Sequence, residues 1–195
     1  MTNTHELISS LFNHSLATFR HSCRVADMLY SFGNYLDLGN DENLFLTGVF
    51  HDIGKLRIAP SLLNKTESLT EQEYSEIKKH AYYGKQILEK IHCLPKHSSE
   101  IILYHHENVD GSGYYGLKGP DIPLLSRIIR IIDTYDTMLY GRVYQEPVKQ
   151  DNVIEEIYSL SGKHYDSELV EAFLKFLDTK FSCSPNMVLE NLCRP

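Results

Sequence analysis

His51 and Asp52 are adjacent in Val49-Phe50-His51-Asp52-Ile53-Gly54-Lys55. A second doublet opens His105-His106-Glu107-Asn108-Val109-Asp110-Gly111-Ser112-Gly113-Tyr114-Tyr115. A carboxylate beside an imidazole can bridge two cations, which in hydrolytic sites lie roughly 3.5–4 Å apart. The second doublet adds two imidazoles, and the glycines after it let a phosphate approach the backbone. Both doublets together, with further His and Asp residues at suitable intervals, read as a metal-dependent phosphohydrolase.

In chain order the candidate ligands are His21, His51, Asp52, His80, His105, His106 and Asp133. Seven ligands are too many for one ion, so two divalent transition-metal ions are expected. Imidazole and carboxylate donors suit iron or manganese first, with zinc and nickel also compatible, and no cysteine joins them to make a soft-metal site. His21 and His80 are ambiguous when read singly. Asp133 is more telling, because an acidic residue after Ile128-Ile129-Arg130-Ile131-Ile132 has little explanation without a partner or a metal. Asp136, one turn later, reads as a supporting group, and Asp110 as a shaper of the glycine loop. His5, His14, His92, His97 and His164 read as surface residues.

Ligands so far apart in sequence have to be gathered by several elements. Leu16, Phe19, Cys23, Ala26 and Tyr30, then Leu29, Phe32 and Leu36, recur at three and four, which predicts one long amphipathic helix. Asp41-Glu42 opens a second helix that runs to His51. Thr70-Glu71-Gln72-Glu73 is a capping box for a helix carrying Ile77, Ala81, Ile87, Leu88 and Ile91. Ser98-Ser99-Glu100 opens the helix expected to bear His105 and His106, and the Gly/Pro-rich stretch 108–123 is a loop. A buried helix over Leu124 to Tyr140 and further helices from Gln150 to Leu160 and Ser167 to Leu177 complete the pattern. No β-alternation or internal repeat stands out. The expectation is an all-α helical bundle, with residues 1–195 as a single domain that directs its ligands into the core.

Composition narrows the partners. The chain has 195 residues, 42 % of them hydrophobic, enough for a core. A net charge of -7 argues against a nucleic-acid polymer as partner, although bound metals would dominate the field seen by a small anion. No stretch approaches the roughly 18 apolar residues of a membrane span, and the N-terminus lacks the pattern of a signal peptide. Cys23, Cys93, Cys183 and Cys193 form no Cys-x-x-Cys pair, so a cytoplasmic protein with reduced thiols is expected. Cys23 reads as a small buried hydrophobe.

The pattern resembles the HD superfamily, and within it the HD-GYP family of cyclic di-GMP phosphodiesterases. The likeness runs through Phe19-Arg20-His21-Ser22-Cys23-Arg24-Val25-Ala26, His51-Asp52-Ile53-Gly54-Lys55, Leu63-Asn64-Lys65, the capping box, His80 with Gly84, the loop from His105 to Tyr114, and Asp133-Thr134-Tyr135-Asp136. It implies an HD-domain bundle, a metal set at the seven residues above, and substrate contacts at Lys55, Tyr114 and Arg142. It also implies hydrolysis of a cyclic dinucleotide to the linear form and on to GMP, with Asp52 and Lys55 catalytic, and signalling proteins as partners. A nucleotide- or partner-binding module without turnover, an HD hydrolase for another nucleotide and an iron-dependent oxygenase are the alternatives.

Three positions depart from the family. Gly113-Tyr114-Tyr115 stands where the family has Gly-Tyr-Pro, and loss of the ring is expected to loosen the loop. Ala17 replaces a glutamate that accompanies a third metal in some members, so two metals are expected. Gln145 replaces a basic residue.

Overall fold

Ser15 separates two helices. In the computed structural model, which describes residues 4–39, 41–91, 94–95, 97–141 and 147–182, α1 (Thr4–His14) ends just before it. The Ser15 hydroxyl then accepts the Thr18 amide and caps α2 (Leu16–Tyr35). The remaining helices are α3 (Asp41–Phe50), α4 (Pro60–Leu63), α5 (Glu71–Lys78), α6 (His80–Leu88), α7 (Ser98–Leu103), α8 (Leu124–Tyr140), α9 (Gln150–Ser159) and α10 (Ser167–Ser182). Two 3-10 turns, Ile53–Arg57 and Gly119–Asp121, lie between them. Among the described residues there is no strand, only a parallel bridge between Ser161 and Tyr165, so the all-α expectation holds.

Several boundaries differ from the sequence reading. α1 was not anticipated, and it buries Leu7 and Leu11. The Thr70 capping box forms, but the helix it opens ends at Lys78, and α6 starts afresh at His80. α7 stops at Leu103, so His105 and His106 lie just past a helix end rather than within it. α2 buries Thr18, Ser22, Val25, Ala26, Leu29, Phe32 and Gly33, whereas Leu16 and Tyr30 are exposed and Cys23 is only half-buried. α3 approaches α2 closely at Ala26, where only a small residue fits.

Two apolar clusters hold the bundle. One joins Val25, Leu29 and Phe32 of α2 to the isoleucines of α8, Val153 and Ile157 of α9, and Val170, Phe173 and Phe176 of α10. The other joins Leu7, Leu11, Ala26, Phe50, Ile53, Leu88 and Ile102. α2 and α7 contribute to both, with Ile101 in the first and Ile102 in the second. Each fully buried side chain of this size contributes roughly 1.5–3 kcal/mol relative to exposure.

Two glycines set the approach distances that matter for the site. A Cβ on Gly48 would lie 2.4 Å from the Ala26 Cα, so α3 meets α2 backbone to backbone and brings His51 to His21. A Cβ on Gly54 would lie 1.9 Å from the His80 carbonyl oxygen, so the turn after Asp52 packs directly on the start of α6. Any side chain there would push His80 away from Asp52.

Candidate metal centre

His51, His80 and His105 each follow the last turn of a helix, where carbonyls lack an intrahelical partner. Each uses one. The Nδ1 of His51 lies 2.7 Å from the Gly48 carbonyl, that of His80 2.7 Å from Ile77, and that of His105 2.6 Å from Ile102. A carbonyl only accepts, so Nδ1 carries the proton and Nε2 presents its lone pair inward. His21 is oriented differently: its Nδ1 is 2.7 Å from Asp136 Oδ2, and Arg24 clamps the same carboxylate through Nε at 2.7 Å and Nη2 at 2.8 Å. Asp136 is thus the supporting group expected from its spacing.

The inward nitrogens form two groups. His80 Nε2 lies 3.3 Å from His105 Nε2 and 3.2 Å from His106 Nε2, and all three rings can offer one ion a ligand. His21 Nε2 lies 3.1 Å from His51 Nε2 and 3.0 Å from Asp133 Oδ1, and with Asp52 these histidines make a second such group. Asp52 stands between them. Its Oδ1 is 3.3 Å from His80, while its Oδ2 is 3.7 Å from His21 and 3.5 Å from His51. His106 Nδ1 is 3.9 Å from Asp133 Oδ2, which gives Asp133 the same divided outlook.

These residues fit divalent metal. The Nε2 atoms of His80 and His105 are both lone-pair acceptors at 3.3 Å, an arrangement that repels unless a cation lies between them. Nδ1–H donation to a carbonyl or carboxylate is also the usual support of a metal-bound imidazole. All seven sequence-predicted ligands are therefore brought together. Ala17 is exposed one turn before His21, and no carboxylate occupies that position.

Electrostatics keep the imidazoles ready to bind. Burial, with the neighbouring rings adding to it, pushes His80 down to about 3 and His105 to about 4, and it lowers His51 and His106 as well. Burial also opposes protonation of His21, but hydrogen bonds to Asp133 and Asp136 outweigh it and raise this one ring. Burial disfavours the Asp52 anion, yet Lys55, His51, His80 and His21 together hold its pKa well below the carboxylate range.

The sign for stability follows. A histidine lowered in the fold binds fewer protons than in the unfolded chain, so its contribution is full above about 6.5 and is lost as pH falls toward the folded value. Among the described residues four rings act this way and His21 opposes them. We expect the melting temperature of metal-free protein to fall as pH drops from about 7 to about 4.5, and metal affinity to fall with it. A flat melting profile across that range would contradict these ring environments.

Beside the ligands lies a cavity of about 330 Å³, lined by Lys55, Lys78, His106, Tyr114, Arg130 and Asp133 among others. Lys55 Nζ is 2.5 Å from Asp52 Oδ2. The Tyr114 ring packs against His106 with centroids 4.8 Å apart, and burial, then Tyr74, raises its phenol pKa. Tyr114 is thus a fixed wall of the cavity with one flank already covered. Arg142 and Gln145 lie outside the described residues.

The glycine loop is tied to a buried carboxylate. Glu107, buried at 1 % exposure, accepts the Tyr115 amide through Oε1 and the Leu117 amide through Oε2, both at 2.7 Å. Proline at 115 has no such donor, so Tyr115 supplies a tie that the family's residue would lack, set against the lost rigidity of the ring. Asp110 accepts both the amide and the hydroxyl of Ser112, as its expected loop-shaping role requires. Glu107 and Arg130 were overlooked in the sequence. A carboxylate directly before a glycine-rich turn full of free amides, and a cation interrupting the isoleucines one turn ahead of Asp133, were the available signals.

The HD domain family matches residues 6–169. A probable cyclic di-GMP phosphodiesterase of Vibrio cholerae is 36 % identical over 83 % of this chain and 39 % of its own length. A cyclic di-GMP phosphodiesterase of Thermotoga maritima is 36 % identical over 87 % of this chain and 48 % of its own. A 3'3'-cGAMP-specific phosphodiesterase of V. cholerae is 34 % identical over 89 % and 35 %. The chain thus spans less than half the length of these relatives. In fold it is similar to the PgpH HD domain of L. monocytogenes solved with cyclic-di-AMP (TM-score 0.70, 21 % identity, 94 % of this chain and 99 % of that one). It is likewise similar to Bd1817, an HDG"Y"P protein of Bdellovibrio bacteriovorus (TM-score 0.67, 18 % identity, 91 % and 58 %). No helix among the described residues is long and apolar enough to cross a membrane. With the helical bundle, the His-Asp doublet at its centre and a family match over residues 6–169, this chain belongs to the HD domain family.

Proposed function

We propose that this chain is a metal-dependent phosphodiesterase of the HD-GYP type that hydrolyses a cyclic dinucleotide, with cyclic di-GMP the leading substrate. The observation that carries the reading is Asp52, one carboxylate whose two oxygens face two separate groups of imidazoles beside an open cationic cavity. The named activities of the relatives support the substrate class. His21, His51 and Asp133 would hold one ion, His80, His105 and His106 the other, with Asp52 shared between them. Iron or manganese suits these donors best. Divalent ions bound there supply Lewis-acid charge and make a water acidic enough to ionise near neutral pH.

The chain's own groups do the positioning. Lys55 lines the cavity at the edge of the ligand cluster and would neutralise charge on the phosphate oxygens during in-line attack. Tyr114 walls the cavity beside His106 and supplies an aromatic edge for a base. The product is the linear dinucleotide, open to a second cleavage to GMP. A cytoplasmic setting with signalling proteins nearby suits such a substrate.

The test is hydrolysis of cyclic di-GMP by metal-loaded protein, followed by chromatography, beside elemental analysis of protein purified without chelator. About two metal ions per chain and metal-dependent appearance of linear product are expected. Metal binding with no cleavage of any cyclic dinucleotide would overturn the substrate. Lys55→Ala should retain metal, because it is not a ligand, and lose roughly 10²-fold in kcat. Unchanged kcat in that variant would remove Lys55 from the reaction.

A further inference from the structure

Two cations line the cavity besides Lys55, to which the cleavage step is assigned. Arg130 lies one helical turn before Asp133 on α8, and Lys78 is the last residue of α5. Both line the cavity with Lys55. Lys55 is paired with Asp52, but no carboxylate among the described residues pairs with Arg130 or Lys78.

Arg130 is nonetheless held in place. Its Nε donates to Asn108 Oδ1 at 3.1 Å and its Nη1 to Thr134 Oγ1 at 2.7 Å. Its guanidinium carbon lies 5.3 Å from the Tyr165 ring centroid. The supports are themselves supported: Asn108 donates to the Ser112 hydroxyl at 2.9 Å, Ser112 donates to Asp110 at 2.7 Å, and the Tyr165 hydroxyl donates to Thr134 at 3.2 Å. Lys78 Nζ stands 4.6 Å from the Tyr74 ring centroid and 5.1 Å from that of Tyr114. Among the described residues, the groups that touch these two cations are neutral. A half-buried cation fixed by neutral partners has given up hydration without gaining a counter-charge. Arg130 lines the cavity with N–H donors to spare, and a guanidinium fork matches the paired oxygens of a phosphate.

We propose that Arg130 and Lys78 form a second anion subsite, which holds the phosphodiester that is not being cleaved. The inference rests on the phosphodiesterase reading and names the feature that makes a substrate good: two phosphodiesters on one ring. One lies at the metal centre beside Lys55, and the other at the Arg130 fork. A substrate with a single phosphodiester engages only the first.

The test compares cyclic di-GMP with bis(4-nitrophenyl) phosphate, which carries one phosphodiester, on the same metal-loaded samples. Arg130→Gln and Lys78→Met are each expected to lower kcat/KM for the cyclic dinucleotide by about tenfold, mainly through KM, and the double variant by about 100-fold. The loss on the single phosphodiester should be smaller by at least a factor of about ten in the double variant. Taking the ratio of the two substrates cancels any shared loss of folded or metal-loaded protein. Arg130→Lys, which keeps the charge but not the fork, should recover part of the loss. Equal losses on both substrates, or none on the cyclic dinucleotide, would overturn the subsite. If the wild-type protein cleaves the single phosphodiester and no cyclic dinucleotide, the hydrolytic chemistry stands and the subsite falls. Cleavage of neither substrate removes the phosphodiesterase reading and the subsite with it.

Discussion

Asp52→Asn is expected to empty both halves of the metal centre together. Asparagine keeps the shape of the side chain but replaces an anionic oxygen by an amide donor. Asp52 Oδ1 faces His80, and Oδ2 faces His21, His51 and Lys55, so no orientation of an amide serves both sides. Metal affinity should fall by at least roughly 10²-fold, beyond the range seen when only supporting residues are changed. Turnover should fall by on the order of 10³, equivalent to about 4 kcal/mol of lost charge stabilisation. The fold should survive, because the two apolar clusters that hold the helices do not include Asp52. Elemental analysis after dialysis against a metal buffer reads the occupancy, and product formation at saturating metal reads the turnover. Full occupancy in the variant would sink the bridging role. Loss of one ion with the other retained would assign Asp52 to a single site.

The second large effect is expected at Glu107, which is no metal ligand. Its buried carboxylate accepts two amides of the glycine loop, from Tyr115 and Leu117. Charge-assisted bonds of this kind contribute about 1.5–3 kcal/mol each, and both donors lie near the surface, where water replaces part of what is lost. Glu107→Ala should therefore destabilise the protein by about 3 kcal/mol and lower Tm by roughly 6–12 °C. It should also raise KM, because the loop carries Tyr114 and Ser112 into the cavity wall. Tyr115→Pro, which restores the family's tripeptide, removes only one of the two donors and should cost about half as much. Calorimetric melting of the two variants beside the parent decides the matter. A Tyr115→Pro protein more stable than the parent would show that ring rigidity outweighs the Glu107 bond.

The helices were legible because their signals are local. The Thr70 capping box, the isoleucine run of α8 and the Asp41-Glu42 start each act within a few residues, and each formed as read. Where the reading slipped, a distant contact intervened. The helix after Thr70 breaks at Lys79, and α6 then packs directly on Gly54. α2 meets α3 backbone to backbone where Gly48 faces Ala26, a contact between residues far apart in the chain.

The residues that gather in the candidate metal centre were likewise open to the sequence, since only a few side chains offer a lone pair to a cation, and two adjacent doublets of them are hard to place otherwise. Their arrangement was not. Sequence does not separate the His21, His51 and Asp133 group from that of His80, His105 and His106, nor does it place Asp52 between them. That division depends on residues such as His21 and Asp136, 115 positions apart, meeting at 2.7 Å. The same holds for the Glu107 clamp and for the neutral partners of Arg130. Residue type sets which atoms can donate, accept or carry charge, and it is read one position at a time. Which of those atoms face one another is decided by helix crossings that close only when the whole chain has packed.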